Sequence, residues 1–248
     1  ITLLSPENFP LDSSDLSQID FYVPTYMTGA KGLSYVEKMT NLKVLQMPNA
    51  GYEDALAHLR PGLTLCNATG VHDASTAELA VGLAIASRRG FAEFMKDQND
   101  GIWNHRRFPS LSDSKVGIVG FGSIGKEIAK KLSVFDVEVT AFTQSGRDGS
   151  LKVEELDKHL PNLDIVILIL PLTDTSRHMF DAARLSKMKD GALLINMARG
   201  PVVVTDALVA ELQTKRLFAA LDVTDPEPLP AGHPLWKAPN LILFPHVG

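Results

Sequence analysis

The residues best placed to do chemistry are three glycines spaced G-x-G-x-x-G, Gly120, Gly122 and Gly125, in the run Val119-Gly120-Phe121-Gly122-Ser123-Ile124-Gly125. The apolar residues 116–119 before them read as a strand, and residues 123–132 after them as a helix. In that setting the first glycine permits a tight turn and the second lets a pyrophosphate approach the backbone. The third lets helix and strand pack closely. The helix start at Ser123 and Ile124 offers free amides and a positive dipole end to phosphates. The chemistry is that of holding a dinucleotide.

Such a turn usually has a sequel, an acid at the end of the next strand that grips the adenosine ribose hydroxyls. That strand is residues 138–142, and the expected position holds Thr143, followed by Gln144, Ser145 and Arg147. Asp136 and Glu138 lie too early. Thr143 neither repels a 2′-phosphate nor makes the charged hydrogen bond that favours NAD. Ser145 and Arg147 offer a hydroxyl and a guanidinium to such a phosphate. The balance leans to NADP(H). With Arg147 read instead as a solvated loop residue, the cofactor is NAD(P)(H) without that preference.

These residues need elements to hold them. Apolar strands at 116–119, 138–142, 164–170, 192–196, 218–223 and 241–244 alternate with helical segments. Residues 164–170 show no period-2 alternation, as expected of a strand covered on both faces. An earlier series has apolar runs at 1–4, 21–23, 43–47 and 64–66, with helical segments such as 32–39 and 53–58 between them. Ser75-Thr76-Ala77-Glu78 reads as a capping box that opens one long helix over 75–99, too apolar for one domain to cover. The predicted fold is α/β in two domains. A Rossmann-type doubly wound parallel sheet spans 73–248, including the long helix, and a smaller flavodoxin-like α/β substrate domain spans 1–72.

Composition narrows the function class. With 45% hydrophobic and 21% charged residues, the 248-residue chain is neither disordered nor collagen-like. Its longest apolar run, residues 165–170, is far short of the roughly 18–20 that span a bilayer. No charged stretch leads a hydrophobic core at the start, so no secretory leader is read there. The net charge is −5 and no basic block exceeds two neighbours. Neither a nucleic-acid nor a membrane partner is expected. The single cysteine, Cys66, reads as a small buried hydrophobe in a reducing cytoplasm. His72 and His105 lack a partner pattern, and no metal-ligand spacing is present.

Five further blocks follow in order: Pro171-Leu172-Thr173-Asp174-Thr175, Asn196-Met197-Ala198-Arg199-Gly200, Leu221-Asp222-Val223-Thr224-Asp225-Pro226-Glu227-Pro228, His233-Pro234-Leu235-Trp236 and Pro245-His246-Val247-Gly248. With the glycine turn, they resemble the D-isomer-specific 2-hydroxyacid dehydrogenase family over nearly the whole chain, Thr224 standing where an aromatic is usual. The resemblance implies a catalytic Arg199, Glu227 and His246. It implies cofactor contacts from Gly120, Gly122, Ser123, Ile124, Gly125, Thr143, Ser145, Arg147, Leu170, Pro171, Thr175, Met197, Ala198, Arg199, Asp222 and His246. Asn49, Ala50 and Gly51, with Arg199, are the implied substrate contacts, although Asn49 and Tyr52 depart from the usual small residue and Val. A homodimer contact on the long helix is implied, as is a segment beyond the catalytic histidine that completes the small domain. Hinges are expected near 70–73 and 245–248, with the active site between the domains.

The implied trio makes chemical sense. A fixed guanidinium can hold the carboxylate and carbonyl oxygens of a 2-keto acid. Reduction needs a proton at the carbonyl oxygen, which His246 can donate near neutral pH. A carboxylate beside it, Glu227, favours the imidazolium and orients the ring. Singly, Arg199 reads as a surface ion-pair partner, Glu227 as a loop residue and His246 as a turn residue. Jointly, each lies just past the C-terminal end of a strand, where ligands bind in open parallel sheets. The expected reaction is NAD(P)H-dependent reduction of a small 2-keto acid, such as glyoxylate or hydroxypyruvate, or its reverse. One rival is a nicotinamide-sensing binding protein of the co-repressor type. Another is a phosphoglycerate-type biosynthetic enzyme.

Overall fold

A computed structural model describes residues 5, 10–12, 14–26 and 28–248. The apolar run 1–4, read as a strand, lies outside the described residues. The chain divides into two compact units, Ile1–His72 and Asp73–Gly248.

In the smaller unit, β1 (Phe21–Tyr22), α1 (Gly29–Leu33), β2 (Val44–Gln46) and β3 (Thr64–Cys66) build a parallel sheet in the order β1-β2-β3. Its core is Leu33, Val36, Met39, Leu42, Leu45 and Met47, all buried. Residues 53–58 form a 3-10 turn.

The larger unit runs α2 (Asp73–Arg88), α3 (Phe91–Asn99), β4 (Lys115–Val119), α4 (Ser123–Leu132), β5 (Glu138–Thr143), β6 (Leu151–Lys152), α5 (Leu156–His159), β7 (Ile165–Leu168), α6 (Ala182–Leu185), β8 (Leu193–Asn196), α7 (Thr205–Gln213), β9 (Phe218–Leu221) and β10 (Leu241–Leu243). Every pairing is parallel and the order is β10-β9-β8-β7-β4-β5-β6. The order reverses at β4, so the crevice between β4 and β7 is the topological switch point of a doubly wound sheet. Strand periodicity assigns side chains to faces. Ile165, Ile167, Leu193 and Ile195 pack with α2 and α4 residues on one side. Val166, Leu168, Leu194 and Leu221 pack with Leu156, Leu185 and Leu208 on the other. Both faces are covered, which explains the unbroken apolar run in β7.

Two expectations about the long helix are corrected. The helix breaks at Gly90, which adopts the left-handed conformation (φ 64°) between α2 and α3. The Phe108 ring sits where a Cβ at this position would go. A left-handed glycine ends a helix because the Cβ penalty is absent there. Helix α2 also starts at Asp73, so Ser75 lies inside its first turn and does not cap it. Strand β6 has only two residues, too short to show a period.

Candidate active site

The glycine turn follows β4. Gly120 sits at φ 104°, and a Cβ there would run into the carbonyl of Ile169; a Cβ on Gly125 would meet the carbonyl of Gly120. Neither backbone can yield, so both positions require glycine. Around Gly122 the space is open. Gly122 also starts α4 without a side-chain cap, which leaves the first-turn amides to an outside acceptor. This arrangement fits a pyrophosphate. Ser123 donates to the Asp73 carboxylate at 3.2 Å, and Ile124 packs into the α2/α4 face.

The loop after β5 differs from the simple ribose contact expected of Thr143. Gly146 N–H donates to Thr143 Oγ1 at 3.0 Å, and Thr143 Oγ1 lies 2.7 Å from the buried Ser150 Oγ. The Thr143 hydroxyl is thus engaged inside its own loop. Ser145 and Arg147 are exposed on that loop. Lys126 of α4 reaches Asp148 at 2.8 Å, and this bond holds the Asp148 carboxyl below its ordinary range.

Leu170, Pro171 and Thr175 follow β7 in a knot tied by Ser176. Its buried hydroxyl donates to the Pro171 carbonyl at 2.8 Å and accepts from Thr173 N–H at 2.7 Å. After β8, the buried Asn196 side chain accepts from Ala198 N–H and donates to the Arg199 carbonyl, both at 3.0 Å. It thereby shapes the turn that carries Met197, Ala198 and Arg199. A Cβ on Gly200 would fall on the Thr224 carbonyl, so this glycine lets the Arg199 turn approach the loop carrying Glu227.

The catalytic candidates meet beyond β8, β9 and β10. His246 Nδ1 lies 2.6 Å from Glu227 Oε1. That bond is the largest influence holding the Glu227 carboxyl below its ordinary range, and the Arg199 charge adds to it. Arg199 donates to the Ala198 carbonyl at 2.7 Å. Asp222, buried to 3% exposure, accepts from Val247 N–H at 2.9 Å and Gly248 N–H at 3.0 Å. Its carbonyl also takes His246 N–H at 2.8 Å. These three bonds pin the segment read as a hinge and support His246 in a left-handed conformation (φ 55°).

The substrate candidates lie in the smaller unit. Asn49, Ala50 and Gly51 follow β2, where Asn67 donates to the Ala50 carbonyl at 2.7 Å and Ala68 N–H to the Asn49 carbonyl at 3.0 Å. His72 approaches the Pro48 carbonyl at 3.3 Å and stacks on Tyr26. Among the described residues, no group of three His, Cys, Asp or Glu side chains could hold a metal. The sequence reading passed over Asn196, Ser176 and Ser150 as site residues. Asn196 opens a quoted block, so its place there was the available signal. Ser150 carried none.

A dinucleotide turn at the switch point, with a His–Glu pair and an Arg along the same C-terminal strand edge, defines a nicotinamide-dependent oxidoreductase. The description "D-isomer specific 2-hydroxyacid dehydrogenase, NAD binding domain" matches residues 81–248. A glyoxylate reductase of Thermofilum pendens is 37% identical over 222 residues, covering 84% of this chain and 66% of that protein. A D-isomer specific 2-hydroxyacid dehydrogenase of Xanthobacter autotrophicus, solved with NADPH and MES, superposes with a TM-score of 0.79 at 28% identity, over 94% of this chain and 76% of that one. An NAD-dependent formate dehydrogenase of Staphylococcus aureus, solved with NAD, gives 0.75 at 30% identity, over 93% and 73%. The chain belongs to the D-isomer specific 2-hydroxyacid dehydrogenase family. It spans about two thirds of the length of the Thermofilum relative.

Proposed function

We propose that this chain carries the catalytic machinery of an NAD(P)(H)-dependent reductase of a small 2-keto acid, such as glyoxylate or hydroxypyruvate, or of the reverse oxidation of a D-2-hydroxy acid. The observation that carries the reading is the 2.6 Å His246–Glu227 bond on the strand edge that also bears the glycine turn. When bound, the nicotinamide supplies or accepts the hydride. Arg199 holds the carboxylate and carbonyl oxygens of the acid, with Asn49, Ala50 and Gly51 offering backbone amides to the carboxylate. His246, its Nδ1 fixed by Glu227, presents Nε2 to deliver the proton to the carbonyl oxygen in reduction and to remove it in oxidation. The trio acts through charges already in place before substrate arrives.

NADP(H) is the preferred cofactor on this reading, because no carboxylate ends β5 while Ser145 and Arg147 stand exposed on the loop beyond it. A homodimer is proposed from the apolar side chains that α3 and the following connector leave exposed, above all Met95, Ile102 and the fully exposed Trp103. A cytoplasmic location agrees with the single, unpaired Cys66. No helix among the described residues is long and apolar enough to cross a membrane.

The test is the loss of reduced-nicotinamide absorbance with NADPH or NADH across a panel of 2-keto acids. Turnover of a small 2-keto acid is expected. Tight cofactor binding with no turnover of any acid would instead favour the sensing protein.

A further inference from the structure

The loop between β5 and β6 is tied from two sides. Ser150 Oγ donates to the Arg147 carbonyl at 2.6 Å, and Ser150 N–H donates to the same oxygen at 3.0 Å. A serine hydroxyl has one hydrogen. With that hydrogen on Arg147, the 2.7 Å contact between Thr143 and Ser150 must have Thr143 as donor. Gly146 N–H donates to Thr143 in turn. The hydrogen bonds therefore run one way, from Gly146 N–H through Thr143 and Ser150 to the carbonyl of Arg147. Gly146, Asp148 and Gly149 all have positive φ, a backbone course that an untied loop would hold poorly. On the other side, the Lys126–Asp148 ion pair fastens the loop to α4, the helix that starts at the glycine turn. Lys126 and Asp148 are each about half exposed, so this tether is the weaker one. Ser150 is buried.

We infer that Ser150, acting through Thr143 and the Arg147 carbonyl, is a positioning residue that holds Ser145 and Arg147 ready for the 2′-phosphate of the cofactor's adenosine. The inference rests on the NADP(H) reading above. A loop already held in its binding geometry avoids an ordering cost when a phosphate arrives, and a charge-assisted contact gains most from fixed geometry. A cofactor lacking the 2′-phosphate draws nothing from Arg147 and is indifferent to the tie. Thr143 thus sets cofactor choice by building the loop.

The experiment is calorimetric titration of the full chain and its Ser150→Ala and Arg147→Ala variants with adenosine 2′,5′-bisphosphate and with 5′-AMP. Amide hydrogen exchange is followed at Gly146 and Ser150. In Ser150→Ala, bisphosphate affinity is expected to fall about tenfold and AMP affinity to change by less than about twofold. Exchange at both amides should accelerate. Equal loss for both nucleotides, or an unchanged bisphosphate affinity, overturns the inference. If Arg147→Ala loses the bisphosphate preference while Ser150→Ala keeps it, the cofactor reading stands and the positioning role falls. If the parent itself does not prefer the bisphosphate, the cofactor reading falls, and the role of Ser150 falls with it.

Discussion

Replacing Glu227 by Gln removes one negative charge 2.6 Å from His246 Nδ1 while leaving a carbonyl oxygen that can still accept from the ring. The two side chains are 29% and 38% exposed, so water screens the pair and the weak limit of Coulomb's law applies. At a dielectric of about 80 that distance gives about 1.6 kcal/mol, which is about one pH unit at roughly 1.4 kcal/mol per unit. Reduction uses the protonated ring, and without the carboxylate that proton is lost at lower pH. The alkaline limb of 2-keto acid reduction should therefore move down by about one unit, and the acid limb of the reverse oxidation should follow it. The Glu227 carboxyl is held below its ordinary range by the His246 bond first. The pair therefore stays charged through neutral pH and is lost as pH falls through that lowered value, where parent and variant converge. The assay is kcat against pH at saturating cofactor, in both directions. An alkaline limb that stays put, or moves up, refutes the role given to Glu227.

Arg147→Ala should lower the ratio of kcat/KM for NADPH over NADH by about tenfold, since one charge-assisted phosphate contact is lost. A parent ratio below one, or a ratio that does not move, speaks against NADP(H). Asp222→Ala leaves the buried N–H groups of Val247 and Gly248 without acceptors and should cost about 1–3 kcal/mol each at most, read as a lower thermal midpoint with a reduced kcat. An unchanged midpoint would count against the clamp. Gly120→Ala drives a Cβ into the Ile169 carbonyl and should weaken binding of either nicotinamide cofactor, as fluorescence titration would show; equal affinity would show that the turn is not the cofactor's cradle. Light scattering of the longer parent protein should give a dimer at micromolar concentration, and a monomer would contradict that assembly.

Much of this molecule was legible because the governing rules are local. The glycine turn could be read from spacing, since Gly120 and Gly125 answer to backbone contacts that admit no Cβ. Strands β7 and β8 were visible as unbroken apolar runs because helices cover both of their faces. The break at Gly90 was missed because the apolar residues of α3 continue those of α2, and only the φ of one glycine separates them. The three bonds from Asp222 to the His246 turn join residues more than twenty positions apart, and no spacing rule announces such a clamp. The Thr143–Ser150 tie is near in sequence but looks like an ordinary polar loop. Its direction emerges only from counting hydroxyl hydrogens in three dimensions.

The central claim is that His246 delivers the proton to a 2-keto acid, and His246→Gln tests it most directly when turnover and cofactor affinity are measured on the same preparation. NADPH-dependent reduction should fall by about two to four decades in kcat, while the dissociation constant for NADPH stays close to that of the parent. A variant that reduces the acid at the parent's rate would contradict the account.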